Sequence, residues 1–307
     1  MRSQGDHIYI NSKLYNSTNK PIVCEYKETF SQSIVPKADD FYLTVVRFEI
    51  PNSVPILEFK DNYNLTLSYN GSNYTEFLQM QNVDTPASKS IYTFQQMVDI
   101  INTAFEAAHQ ALIASDPGAP DLSPYLTFDP VSDLFSLFIP QAYDGVIDTY
   151  FNYNLYAFFQ SSFQVFNLGV GLPNHKDFRF IISNSHPTGD YYEIKQQLPT
   201  LYNFYDFESI VFSSNALPVR TEFITARDSG GKSIQQSIIT DFIPQLGKDR
   251  SNFIYDANPY RLVDCLGNSD IKKFDFRVFY INRDGLVKPI MIPPGKGMSV
   301  KFLFVRK

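Results

Sequence analysis

The 307-residue chain has no tryptophan, only two cysteines and only four histidines. Each scarcity closes off a class of protein. Cys24 and Cys265 make no disulfide framework and no metal-ligand spacing. They read as two reduced thiols in a protein made inside a cell. His7, His109, His175 and His186 are scattered without ligand spacing, so no metal site is expected. The opening MRSQGDHIYI lacks the apolar run of a secretory signal. No stretch reaches the roughly 20 apolar residues of a transmembrane helix. The N-x-[ST] triplets at Asn16, Asn64, Asn70 and Asn73 therefore read as chance. There is no G-x-S-x-G elbow. Gly169-Val-Gly171 lacks the third glycine of a dinucleotide loop. Catalytic residues, cofactor and metal are all expected to be none.

A basic N-terminal arm is also missing. The first forty residues carry five basic and five acidic side chains. A coat protein that grips its genome directly usually has a strongly basic arm, so direct nucleic-acid binding is not expected. Net charge is −6, unevenly spread. Residues 265–307 hold nine Lys and Arg against three Asp and Glu, leaving 17 against 29 elsewhere. That basic end reads as a solvated strand face or as a face toward an acidic neighbour.

What the chain has in abundance is aromatic: 28 Phe and 20 Tyr, with 19 Pro and 14 Gly as interruptions. Phe and Tyr suit pleated, half-buried surfaces. Frequent breaks then give many short strands. Residues 41–50 (FYLTVVRFEI) form the clearest early strand; poor alternation suggests burial on both faces. Residues 63–69 and 73–78 flank Asn70-Gly71 and read as a hairpin. Residues 125–128 and 134–139 make a second, around Asp129-Pro130. Residues 273–281 alternate cleanly, with Phe274, Phe276, Val278 and Tyr280 on one face. Residues 286–292 and 298–305 follow as the rest of a three-stranded meander.

One segment changes period. Phe94, Met97, Val98, Ile101, Phe105, Ala108 and Leu112 fall at helical spacing, with Thr93 and Gln96 as a capping box and Pro117-Gly118 as the stop. The apolar stripe reads as a core-packing face. Aromatics between Tyr150 and Phe166 give a second, weaker helix.

The stretch ARDSGGKS, residues 226–233, mimics the end of a P-loop, with Lys232 as the phosphate-binding lysine. A P-loop needs a following helix whose N-terminus holds the phosphates. Only IQQS separates Ser233 from the strand-like IITDF, in which Asp241 follows too soon to serve as a second motif. A flexible loop between two strands fits better.

The fold class is therefore all-β: a structural sandwich of strands with one helical interruption. The C-terminal run resembles the end of penton-type minor capsid proteins of virophages and polinton-like viruses. It comprises YRLVD, IKKFDFRVFYINRDG, PIMI and SVKFLFVRK. So do VRFEIP near Phe48, YTF leading into the helix with Asn102, the 125–139 hairpin, and Asn154-Leu155 with Phe158-Phe159.

That resemblance implies an antiparallel jelly-roll sandwich with an inserted α/β segment holding one clear helix. The jelly roll is then expected at 1–80 and 173–307, with an N-terminal arm at 1–20, and the insertion at 81–172, between the period change at Phe94 and the return of strands after Pro173. It implies a structural virion protein, not an enzyme: a minor capsid protein forming homopentamers at icosahedral vertices. Its implied partners are itself, a double-jelly-roll major capsid protein, and other minor capsid or vertex proteins. It implies assembly inside the host cell and no catalytic motif. Three other readings stay open. They are a carbohydrate- or receptor-binding spike module, a nucleotide-binding enzyme using Lys232, and a major capsid protein.

Overall fold

The computed structural model describes residues 7–58, 62–80, 90–159, 165–167, 178–182, 186–205, 207–225, 233–243, 252–256, 261–283 and 285–307. The chain divides into two compact units. One is Met1–Val54 with Phe207–Lys307; the other is Pro55–Asp206.

The first unit is built on the strand Phe41–Pro51. In its sheet the strands run His7–Tyr15, Gly297–Arg306, Phe41–Pro51, Asn252–Asp256, with Val263–Asp264 also on Phe41–Pro51. The second sheet runs Glu222–Thr225, Ser233–Phe242, Phe207–Ser214, Lys273–Asn282, Val287–Pro289, with Glu25–Thr29 also on Lys273–Asn282. Every pairing is antiparallel. Phenylalanines join the two sheets: Phe302 lies 4.9 Å from both Phe274 and Phe276, and Phe48 lies 4.8 Å from Phe212. All five are buried. Burying each such side chain contributes roughly 1.5–3 kcal/mol over leaving it in water.

Three expectations are corrected here. The poor alternation of FYLTVVRFEI comes from a β-bulge. Lys301 pairs with Arg47 and Phe302 with Val45, so Val46 is the extra residue. Before it the odd positions Phe41, Leu43 and Val45 are buried; after it the even ones, Phe48 and Ile50. One inserted residue reverses which face is core. The expected C-terminal meander is also broken up. Lys273–Asn282 pairs with Val287–Pro289, but Met291–Ile292 pairs with Ile22–Val23, and Gly297–Arg306 lies in the opposite sheet. Apolar alternation places a face toward the core and says nothing of which neighbour it joins. Residues 7–15, expected within an arm, form a full strand against Gly297–Arg306.

The second unit surrounds the helix Phe94–Ser115. Thr93 Oγ1 accepts from Gln96 N at 3.1 Å, and Gln96 Oε1 accepts from Tyr92 N at 3.1 Å. That is a capping box displaced by one residue. The predicted stripe is buried throughout. Asn70 at φ 48° and Gly71 at φ 80° make the tight turn between Asn64–Tyr69 and Ser72–Phe77. Two left-handed residues in a row are what such a turn demands. Tyr125–Asp129 and Leu134–Pro140 form the second predicted hairpin, which Tyr191–Lys195 and His186–Thr188 extend. Asn64–Tyr69 also pairs with Ile147–Phe151. These pairings carry the unit beyond 81–172. The second helix expected from Tyr150 shrinks to one turn, Tyr153–Tyr156, followed by the 3-10 turn Ala157–Phe159. Phe151 is the end of a strand instead. Phe94, Phe135, Phe151, Phe159 and Phe204 interlock in one aromatic core.

Candidate assembly surfaces

Ala226 to Lys232 lie outside the described residues, but their flanks decide the P-loop question. Glu222–Thr225 and Ser233–Phe242 pair antiparallel, with Thr225 opposite Ser233. Ser233 opens a strand where phosphate binding needs a helix N-terminus. Asp241 accepts from Arg261, which also donates to Glu222. It is a strand-to-loop tie rather than a metal ligand.

The other polar residues singled out by sequence are structural. His109 is buried, and its Nε2 lies 3.0 Å from Pro120 O, fastening the helix to the following loop. His7 and His186 are exposed; His175 and Gly169-Val-Gly171 lie outside the described residues. Among the described residues no three His, Cys, Asp or Glu come together to hold a metal. Cys24 is fully buried against Met298, and burial pushes its thiol pKa far upward. Burial pushes Cys265 up to about 12. Thiols held protonated are poor nucleophiles. Asn16 and Asn64 are buried, and Asn16 Nδ2 donates to Lys20 O and Ile292 O, both at 2.8 Å. Neither has room for a glycan.

Asp275 was not foreseen. It sits in the apolar strand Lys273–Asn282, 6% exposed. Its carboxylate accepts from Ser214 Oγ, from Asn215 N at 3.1 Å and from Ala216 N at 2.9 Å. Ser214 Oγ in turn accepts from Leu217 N at 2.8 Å. The group fixes the turn leaving Phe207–Ser214. A lone Asp inside FDFRVF was the available signal.

The basic C-terminal end does not gather into one patch. Lys273 and Arg277 belong to one sheet, Lys301 and Arg306 to the other. Arg277 Nη2 reaches Glu25 at 2.8 Å, and Lys27 reaches it at 2.5 Å. Lys27 first and Arg277 second hold the Glu25 carboxyl below its usual range. Lys307 Nζ lies 2.8 Å from Asp264 and over the Tyr42 ring. Lys272, Arg277 and Lys307 thus spend their charge locally, on Asp270, Glu25 and Asp264.

Two different strands end the first sheet among the described residues, His7–Tyr15 and Asn252–Asp256. Tyr9 and Tyr15 are exposed on one, Ile254 on the other, and Ile243 stands 78% exposed nearby in the chain. Lys301 Nζ sits 4.5 Å over the Tyr9 ring. Sheet edges with apolar side chains are natural places for another chain to join.

A family model described as Sputnik minor capsid protein V18/19 matches residues 62–306. Structural protein V19 of Sputnik virophage is 30% identical over 180 residues, covering 52% of this chain and 82% of that protein. A chain in the cryo-EM structure of the Sputnik virophage superposes with a TM-score of 0.82 at 24% identity, covering 99% of each chain. The mavirus penton protein superposes with a TM-score of 0.74 at 16% identity, covering 98% of this chain and 99% of that one. The structural matches fix the fold as the jelly-roll type. The family match spans most of the sequence and both units. Such proteins build the virion shell and are not enzymes. The chain thus belongs to the Sputnik minor capsid protein V18/19 family, and it is a structural, minor capsid protein of a virion.

Proposed function

We propose that this chain is the penton of its virion: five copies close each icosahedral vertex beside a double-jelly-roll major capsid protein. The end-to-end superposition on the mavirus penton protein carries this reading. Physical features support it. A ring closes by heterologous contacts, one surface meeting a different one on the next copy. The first sheet offers two unlike ends, His7–Tyr15 and Asn252–Asp256. In this reading Met1–Val54 with Phe207–Lys307 is the jelly roll, and Pro55–Asp206 is the segment inserted in it. Other minor capsid or vertex proteins are further partners. Nucleic acid is not expected as a partner, because the first forty residues balance five basic against five acidic side chains and form no strongly basic arm. Among the described residues no helix is long and apolar enough to cross a membrane.

Native mass spectrometry of the purified protein, with and without Mg-ATP, tests the proposal. A closed five-subunit species, unmoved by nucleotide, is expected. A monomer gaining one nucleotide mass would overturn it. Copy number relative to the most abundant shell protein in purified virions separates the minor from the major role.

A further inference from the structure

Among the described residues, His7–Tyr15 is the longest strand at the end of a sheet. Its nine residues pair with Gly297–Arg306 in unbroken register. Natural proteins blunt such ends with short strands, charge, proline or a bulge. The second sheet does so. Val287–Pro289 is three residues long and carries Lys288 and Pro289; Glu25–Thr29 carries Glu25, Lys27 and Glu28. His7–Tyr15 has no proline, no bulge and one lysine. Its backbone is ready to pair. Asn16 N donates to Lys296 O at 2.9 Å, and Lys307 N donates to Asp40 O at 2.8 Å. Antiparallel ladders alternate bonded with unbonded pairs. In Gly297–Arg306 the odd residues therefore bond toward Phe41–Pro51 and the even ones toward His7–Tyr15. Opposite them, the odd residues Tyr9, Asn11 and Lys13 turn their N–H and C=O groups outward. No partner meets them among the described residues. Their side chains are exposed as well. By the same alternation Ile254, 59% exposed, turns its N–H and C=O outward at the opposite end of the sheet.

We propose that this edge pairs with Asn252–Asp256 of a second copy of the chain, so that one sheet runs into the next. The inference rests on the penton reading and names the surface that joins its subunits. Three observations select this occupant. First, strand direction alternates across the sheet, so His7–Tyr15 and Asn252–Asp256 run in opposite senses. A copy rotated about an axis along the strands meets its neighbour antiparallel, with no strand reversed. Second, the two ends are unlike, as a heterologous ring contact requires. A two-fold dimer would instead set one edge against itself. Third, the side chains complement each other. Tyr9 and Tyr15 at one end and Ile254 at the other supply aromatic and β-branched partners for cross-strand pairs. Lys13 is exposed at one end, and exposed Glu49 lies directly beside Ile254 at the other. On the inner side Ile8 and Leu14 are only half-buried, and an added strand covers them.

Native mass spectrometry and residue-level hydrogen exchange on the full chain test this together. In the dilute monomer, exchange along His7–Tyr15 should alternate, slow at even residues and fast at odd ones. In the five-subunit species Tyr9, Asn11, Lys13 and Ile254 should slow by about tenfold or more. Asn11→Pro removes one outward N–H, a change that an edge strand tolerates. The variant should melt close to the parent. It should weaken each contact by about tenfold or more and abolish the five-subunit species. If it folds poorly, exchange in the parent decides alone. A five-subunit species in which the alternation persists, or one that folded Asn11→Pro still forms, would overturn the edge pairing. The penton reading would then stand with its subunits joined elsewhere. A parent that stays monomeric would also overturn the pairing, and copy number in virions would judge the penton reading separately.

Discussion

The two compact units are held together by pairings of opposite kinds. In Pro55–Asp206 most strands join a near neighbour: 64–69 with 72–77, 125–129 with 134–140, and 186–188 with 191–195. In the other unit the decisive pairs span nearly the whole sequence, with His7 opposite Val305 and Glu25 opposite Arg277. Local hairpins are encoded by the few residues of their own turns. Distant pairs are encoded only by which apolar faces fit together, and they carry a larger loop-closure entropy.

This contrast yields a ranked set of tests. The largest effect is expected from Phe302→Ala, at the junction of the two sheets. It should cost about 4 kcal/mol in chemical denaturation and lower hydrogen-exchange protection in Lys273–Asn282. An unchanged exchange pattern there would show that the sheets do not depend on each other. Asp275→Asn should cost about 2 kcal/mol, because the Ser214–Leu217 turn loses a charged acceptor; a neutral result would mean that water replaces it. In the local unit the effects should be smaller. Thr93→Ala should cost about 1 kcal/mol by removing the helix cap. Gly71→Ala should cost about 1 kcal/mol by placing a side chain at φ 80°. Both are read from thermal or chemical melts.

The smallest effect is electrostatic. The folded Glu25 carboxyl titrates below its unfolded value of about 4.3. Its contribution is therefore present above that pH and fades as pH falls through the folded pKa. Glu25→Gln should lower the neutral plateau slightly, leave the acid end unchanged, and so flatten the acid limb of the stability curve. An identical acid limb in the variant would remove Glu25 from the account.

The same contrast explains what could be read from sequence. Thr93 with Gln96, Asn70 with Gly71, and the helical stripe were legible because each signal lies inside one turn or one element. Phe274, Phe276 and Val278 were legible as a face. Their destination was not: nothing in MSVKFLFVR says that it crosses to the opposite sheet. The Val46 bulge was read as two-sided burial, since one unpaired residue and a fully buried strand disturb alternation alike. The extent of the second unit was hidden for the same reason, because it depends on Leu65 meeting Phe151. For the candidate site, the absence of a nucleotide loop followed from the short spacer after Ser233. Asp275 was visible as an odd residue in an apolar run.

The pairing of His7–Tyr15 with Gly297–Arg306 sets a clock on synthesis. The Asn16–Ile292 contact beside it joins residues 276 positions apart. At about 5–20 residues per second, strand 7–15 waits roughly fifteen seconds to a minute on the ribosome before its partner exists. Throughout that interval Ile8, Ile10 and Leu14 have no strand to face, and the phenylalanines of Phe41–Pro51 lack Phe302 and Phe304. Any messenger truncated before codon 297 makes a product in which that wait never ends. Such products would be the natural clients of holding chaperones during capsid production.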